Sequence, residues 1–217
     1  MAGPLYFETS YECPSHEVLA KAASIVRRGG LVVFPTDTLY GLGANPFSRD
    51  AVSRVYNIKG RSPRKPLPIL LAESHHATML VDAGKKFWAL ARLFWPGPLT
   101  IVAPPAPDAP EWLAGPEGIG VRLPDSPIAR GLARLVGGAI VGTSANKSGM
   151  EPPRTAQEAM FMLGSTVEAY IDAGLTPLGK PSTVVRLLPD GRVSLIREGA
   201  IPGSKIEEAL GEHLYTP

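Results

Sequence analysis

Five short apolar runs punctuate this chain: Leu31 to Phe34, Leu67 to Ala72, Leu99 to Ala103, Ile119 to Leu123 and Ala139 to Gly142. A run this short without polar alternation reads as a strand covered on both faces. The segments between them carry helical spacing, and strands alternating with helices build a layered α/β sheet. Ser15 caps a helix through Val18, Leu19, Ala22, Ile25 and Val26, with Arg27 and Arg28 at its negative end and Gly29 as its stop. Ser48 opens a second helix, with Val52, Val55 and Tyr56 on one side, ending near Lys59-Gly60. Lys85 to Phe94 is a third, broken by Trp95-Pro96-Gly97-Pro98, and Ser126-Pro127 starts a fourth through Ile128, Leu132 and Leu135. Pro104 to Pro116 is a proline-rich surface loop.

The last third changes character. Thr155-x-x-Glu158 is a capping box, Thr183 to Leu187 and Arg192 to Ile196 flank the turn Pro189-Asp190-Gly191 as a hairpin, and Ser204-x-x-Glu207 caps a short terminal helix. A late hairpin after early strand–helix alternation predicts an α/β fold with a twisted, open, mixed parallel and antiparallel sheet flanked by helices. At 217 residues the chain can bury a substantial core without disulfides or metals, so a single domain spanning 1–217 is expected, with its core at about 15–202.

Charge and cysteine content narrow the function. A formal net charge of +2 does not argue for a polyanion partner, so any RNA contact is local and weak. The single cysteine, Cys13, rules out an internal disulfide and cysteine-rich zinc sites, and His16, His75, His76 and His213 have no metal-ligand spacing, so no metal site is expected. No segment approaches the ~18 apolar residues of a membrane span, and the N-terminus has no basic region followed by an apolar run. The expected location is the cytoplasm, away from any membrane.

The chemistry concentrates at strand ends. Pro35-Thr36-Asp37-Thr38-Leu39-Tyr40-Gly41-Leu42-Gly43 follows the first apolar run, and Lys59-Gly60-Arg61-Ser62-Pro63-Arg64-Lys65-Pro66 follows the second helix. Hydroxyls and glycines can approach a polar ligand closely, while a Lys and an Arg separated by one glycine can neutralise phosphate or carboxylate from neighbouring angles. Each piece alone also reads as a turn or a solvated face. Arg122, inside the apolar stretch Gly120-Val121-Arg122-Leu123-Pro124, needs an anionic partner to be buried, and a structural ion pair serves as well as a ligand. Arg197 carries the same ambiguity, with Glu198 beside it as a local partner. Ser144 and Asn146 follow another apolar strand and offer a hydroxyl and an amide. No Walker-type phosphate loop and no dinucleotide fingerprint is present, so nucleotide binding would use another design.

Taken in order, the Pro35–Gly43 segment, Lys59-x-Arg61, Trp95-Pro96-Gly97-Pro98-Leu99-Thr100, Val121-Arg122-Leu123-Pro124, Thr143-Ser144-Ala145-Asn146-x-Ser148-Gly149, Pro181-Ser182-Thr183-Val184-Val185 and Arg197-x-Gly199 resemble the YrdC-like family of threonylcarbamoyl-adenylate synthases. The resemblance implies a basic concave cavity and a reaction joining L-threonine, bicarbonate or carbon dioxide, and ATP into threonylcarbamoyl-adenylate and pyrophosphate. That product feeds N6-threonylcarbamoylation of adenosine next to the tRNA anticodon, through a downstream tRNA threonylcarbamoyl transferase complex. It further implies Lys59 and Arg61 as catalytic residues. Thr36, Thr38, Lys59, Lys65, Arg122 and Ser182 are placed around threonine, and Arg61, Ser144, Asn146 and Arg197 around the nucleotide. Mg²⁺ is expected with ATP. The chain looks like the family's short form, and Arg186 stands where relatives carry an acidic residue. Two other readings compete: an RNA-binding module whose basic cavity performs no catalysis, and a carbamoyl-transfer domain like that of hydrogenase-maturation proteins, whose zinc-finger modules one cysteine cannot supply.

Overall fold

The apolar runs all become strands, but they are shared between two sheets. In the computed structural model, which describes residues 3–215, the chain runs β1 (Leu5–Glu8), α1 (His16–Arg27), β2 (Val32–Pro35), β3 (Tyr40–Gly43), α2 (Arg49–Lys59), β4 (Ile69–Leu71), α3 (Lys85–Phe94), β5 (Leu99–Ala103), β6 (Ile119–Arg122), α4 (Pro127–Val136), β7 (Ala139–Val141), β8 (Thr143–Ser144), α5 (Ala156–Leu163), β9 (Ala169–Asp172), β10 (Thr183–Leu187), β11 (Val193–Arg197) and α6 (Gly203–Leu210). A five-stranded sheet has the order β1-β9-β2-β3-β8, and a six-stranded sheet the order β11-β10-β5-β6-β4-β7. Both are mixed: β2 pairs in parallel with β9 and antiparallel with β3, while β5 pairs in parallel with β10 and antiparallel with β6.

The burial of each strand explains its continuous apolar character. Leu31 and Val33 point into a core between the sheets, shared with Leu42, Ile69, Leu71, Ile101 and Val121. Val32 and Phe34 point the other way, into a second core beneath α1 and α4 with Ile128, Leu132, Ile140 and Ile171. Both faces of β2 are therefore dry, so neither set of alternate positions tolerates a polar side chain.

Helix ends follow their capping residues. Ser15, Ser48 and Ser126 each accept a backbone N–H from the first turn of α1, α2 and α4, at 3.5, 3.3 and 3.2 Å. Thr155 accepts from the Glu158 N–H, but Glu158 turns its carboxylate to the Arg154 N–H at 2.7 Å rather than closing the box. The terminal helix corrects the sequence reading: α6 begins at Gly203 with Pro202 in the cap position, so Ser204 lies inside it. The acceptor at that end is Glu198, which takes the Gly203 N–H at 2.8 Å.

Four strands escape the sequence pattern: β1, β3, β8 and β9. β3 reads Tyr-Gly-Leu-Gly, and two glycines depress strand propensity. Gly43 is nonetheless required, because a Cβ there would lie 2.5 Å from the Phe34 ring across the β2–β3 pair. Among the described residues no helix is long and apolar enough to cross a membrane.

Candidate active site

The two sheets meet where β7 hands over to β8. Val141 ends a strand of one sheet, Thr143 begins a strand of the other, and Gly142 between them faces a cavity of about 350 Å³. Thr36, Thr38, Tyr40, Gly41 and Ser144 form the wall on the side of the smaller sheet, and Arg122, Ser182 and Arg197 the wall on the side of the larger. Arg61, Asn146, Met150 and Pro152 join the lining from the loops after α2 and β8. Crevices at strand ends are where open α/β sheets bind ligands, and this one falls in the ~300–1,000 Å³ range of small-molecule sites.

Its charge is one-sided. The ionisable lining residues with a formal charge are Arg61, Arg122 and Arg197, with no carboxylate among them. Partial burial lowers the pKa of Arg61, and partial burial together with the charges of Arg61 and Arg122 lowers that of Arg197. Guanidiniums held close enough to disfavour one another form a site that an anion relieves. Arg61 is fixed by donating from Nε to the Lys65 carbonyl at 2.9 Å and from Nη2 to the Pro66 carbonyl at 3.1 Å. Arg197 donates to the Ser182 carbonyl at 2.8 Å, and Ser182 Oγ lies 2.9 Å from Thr100 Oγ1. Glu198, the acid beside Arg197 in the sequence, is spent on α6.

Lys59 stands behind the lining. Its ammonium donates to the Ser144 carbonyl and, at 2.7 Å, to the Asn146 carbonyl, with Asn146 Oδ1 at 3.5 Å. Burial, reinforced by the charge of Arg61, pushes its pKa down to about 8. The Ser148 N–H donates back to the Lys59 carbonyl at 2.9 Å, so the C-terminus of α2 and the loop after β8 are tied at both ends. Asn146 spends its amide N–H groups on the Lys147 and Met150 carbonyls at 3.1 and 2.6 Å.

Arg122 is held from three sides. Nε donates to the Gly97 carbonyl at 3.0 Å, Nη1 to Thr38 Oγ1 at 3.0 Å, and Nη2 pairs with Asp37 Oδ1. Both the structural ion pair and the cavity contact left open by the sequence are present, on the same side chain.

Eight residues named from the sequence therefore converge on the cavity: Thr36, Thr38, Arg61, Arg122, Ser144, Asn146, Ser182 and Arg197. Lys59 buttresses it, and Lys65 is not in its lining: the Lys65 side chain is exposed, and its carbonyl serves Arg61. Sequence reasoning assigned no role to Asp37, Tyr40, Thr100 or Thr143. All four lie within the quoted motifs, and the demand of a buried Arg122 for an acid is the signal that singles out Asp37. A neighbouring cavity of about 490 Å³ shares Leu39, Pro152 and Pro181 but none of the three arginines.

The Sua5/YciO/YrdC family model, described as "Telomere recombination", matches residues 24–199. The chain belongs to that family. The Bacillus subtilis threonylcarbamoyl-AMP synthase is 39% identical over 196 residues, covering 89% of this chain and 56% of that protein. A putative threonylcarbamoyl-AMP synthase of Mycobacterium tuberculosis is 36% identical over 198 residues, covering 89% of each. The crystal structure of P. abyssi Sua5 complexed with L-threonine superposes with a TM-score of 0.92 at 34% identity, over 98% of this chain and 62% of that one. This Sua5/YciO/YrdC chain thus spans about half the length of the curated relatives it matches first. The family match runs from within α1 to just past β11, so it takes in every residue of the cavity lining.

Proposed function

We propose that this protein is an L-threonylcarbamoyladenylate synthase, a nucleotidyltransferase that makes threonylcarbamoyl-AMP and pyrophosphate from L-threonine, bicarbonate or CO₂, and ATP. The observation that carries the reading is the cavity itself, in which Arg61, Arg122 and Arg197 face one space with hydroxyls and no carboxylate. Every reactant at the chemical step is anionic: the threonine carboxylate, the carbamate and the triphosphate. Bringing them together is chiefly a matter of charge management.

On this reading the threonine amine adds to CO₂ and loses a proton to give a carbamate. A carbamate oxygen then bonds to the α-phosphorus of ATP, the bond from that phosphorus to its bridging oxygen breaks, and the electron pair leaves on pyrophosphate. Arg122 with Thr36, Thr38 and Ser182 lies on the amino-acid side; Arg61, Ser144, Asn146 and Arg197 lie on the nucleotide side. Arg61, which lines the same cavity, would stabilise charge gathering on the α-phosphoryl oxygens. Lys59 acts from behind, through the Ser144 and Asn146 carbonyls that it holds. The cavity lining offers no carboxylate to a divalent cation, so Mg²⁺ is assigned no protein ligand and would arrive with the triphosphate. The product would be consumed by a tRNA threonylcarbamoyl transferase in the cytoplasm, where tRNA and ATP are available.

Pyrophosphate release with ATP and bicarbonate, measured with and without L-threonine, tests the reading. Threonine-dependent release by the wild type, lost in Arg61→Ala, is expected. No release, together with RNA binding that weakens steeply with salt, would overturn it in favour of a non-catalytic RNA module.

A further inference from the structure

Asp37 lies one shell outside the cavity, between two residues that line it. Its Oδ1 pairs with Arg122 Nη2, while its Oδ2 is buried without a hydrogen-bond partner among the described residues. The pair is almost fully enclosed, with the Arg122 side chain 5% and the Asp37 side chain 6% exposed. A carboxylate left half-satisfied in such a place is an unfavourable arrangement unless its charge holds something else in position.

What it holds is a chain of hydrogen bonds with a single direction. Thr36 has one hydroxyl proton, and it goes to the Leu39 carbonyl at 2.7 Å. Thr36 Oγ1, which also takes the longer contacts of the Thr38 and Leu39 backbone N–H groups at 3.2 Å each, then has no proton left for Thr38 and stands as acceptor to its hydroxyl across their 2.8 Å contact. Thr38, having given its own proton away, accepts from Arg122 Nη1 at 3.0 Å. The order is Arg122 N–H to Thr38 O–H to Thr36 O–H to the Leu39 carbonyl. Facing the cavity, Thr38 retains only a lone pair, and Arg122 retains unspent N–H groups on its terminal nitrogens.

We propose that Asp37 is a positioning residue that orients Arg122 and thereby makes this wall a split site: donors for a carboxylate at Arg122, and an acceptor for an N–H or O–H group at Thr38. An L-amino acid with a β-hydroxyl carries both complements within a few bonds. The inference rests on the synthase reading and deepens it, by naming what sets the polarity of the amino-acid subsite. On the synthase reading the nucleotide is held by other residues, so Asp37 is expected to act on one substrate and not the other.

Calorimetric binding of L-threonine and of ATP, measured separately, tests this with Asp37→Asn, which removes the charge at constant shape, and Asp37→Glu, which keeps the charge but displaces it by one methylene. The expected result is L-threonine affinity weakened at least tenfold in Asp37→Asn and three- to tenfold in Asp37→Glu, with ATP affinity within threefold of wild type in both. Threonine affinity within twofold of wild type, or equal weakening of both ligands in a protein of wild-type circular dichroism, overturns the proposal. Should Asp37→Asn not fold, the folded Asp37→Glu protein is judged by the same twofold limit. Wild-type protein that binds L-threonine but releases no pyrophosphate would defeat the synthase reading while leaving Asp37 to be decided by the variants. Wild-type protein that binds no L-threonine defeats both.

Discussion

Lys59 shows how a residue named from a motif acquires a different task in three dimensions. Its ammonium is buried against the carbonyls of Ser144 and Asn146, and its pKa is pushed down to about 8, first by burial and then by Arg61. Protonated lysine holds both carbonyls by charge as well as hydrogen bonding, so proton loss loosens the segment that presents Ser144 and Asn146. The kcat/KM for pyrophosphate release is expected to fall as pH rises past about 8. In Lys59→Met, activity at pH 7.5 should drop about a hundredfold, roughly 2.7 kcal/mol of transition-state stabilisation at ~1.36 kcal/mol per decade, and the fall near pH 8 should vanish from what remains. Stability moves the opposite way. The folded pKa lies below the unfolded value of 10.5, so the unfolded chain binds more protons in between. This contribution to stability is fully present above 10.5 and is lost as pH falls through about 8. The difference in urea midpoint between wild type and Lys59→Met, followed from pH 7 to pH 10, checks the sign. At this scale the motif residues were legible because hydroxyls, amides and cations at strand ends have few structural uses in combination. Asp37 was legible only as part of a motif, since its partner Arg122 comes from a segment remote in sequence.

At the scale of elements, capping chemistry was readable and strand membership was not. Ser126 accepts the Ala129 N–H and donates to the Pro35 carbonyl at 3.2 Å, joining the start of α4 to the end of β2 in a fully buried position. Ser126→Ala removes both bonds and is expected to cost about 1–2 kcal/mol of unfolding free energy in urea titration. Gly199, past the end of β11, is another point of control. A Cβ there would collide with the Pro181 carbonyl and the Ser182 backbone, which cannot yield as a flexible side chain can. Gly199→Ala should therefore displace Ser182 and its partner Arg197, lowering the melting temperature and raising the KM for both substrates. A variant with wild-type melting and kinetics would show that this wall is more pliant than its packing indicates. The sequence pattern marks β2 as a strand but not β3, because Tyr40–Gly43 lacks β-branched residues. It becomes a strand because β2 on one side and β8 on the other supply its backbone partners.

For the molecule as a whole, the cationic cavity between two sheets makes ligand binding a thermodynamic link to folding. A ligand at a hundred times its dissociation constant stabilises the folded state by about 2.7 kcal/mol, and for a chain of this size that is about 5–10 °C in melting temperature. ATP is expected to produce such a shift at low salt and a smaller one at high salt, because a site of three arginines acts on anions through a screened field. A salt-independent ATP shift would argue against these guanidiniums as the phosphate contacts. The sequence by itself determined the helices, the five apolar strands and the late hairpin, the mixed α/β class and eight polar or charged residues of the cavity lining, because apolar periodicity, caps and polar strand ends are local properties. Division of the strands into two sheets was decided by the tertiary structure. So were the retreat of Lys59 behind the wall, the exposure of the Lys65 side chain and the Asp37–Arg122 pairing. The reason is physical: each depends on which remote backbone carbonyl or side chain arrives alongside, and a buried charge settles where its partners are rather than where its motif lies.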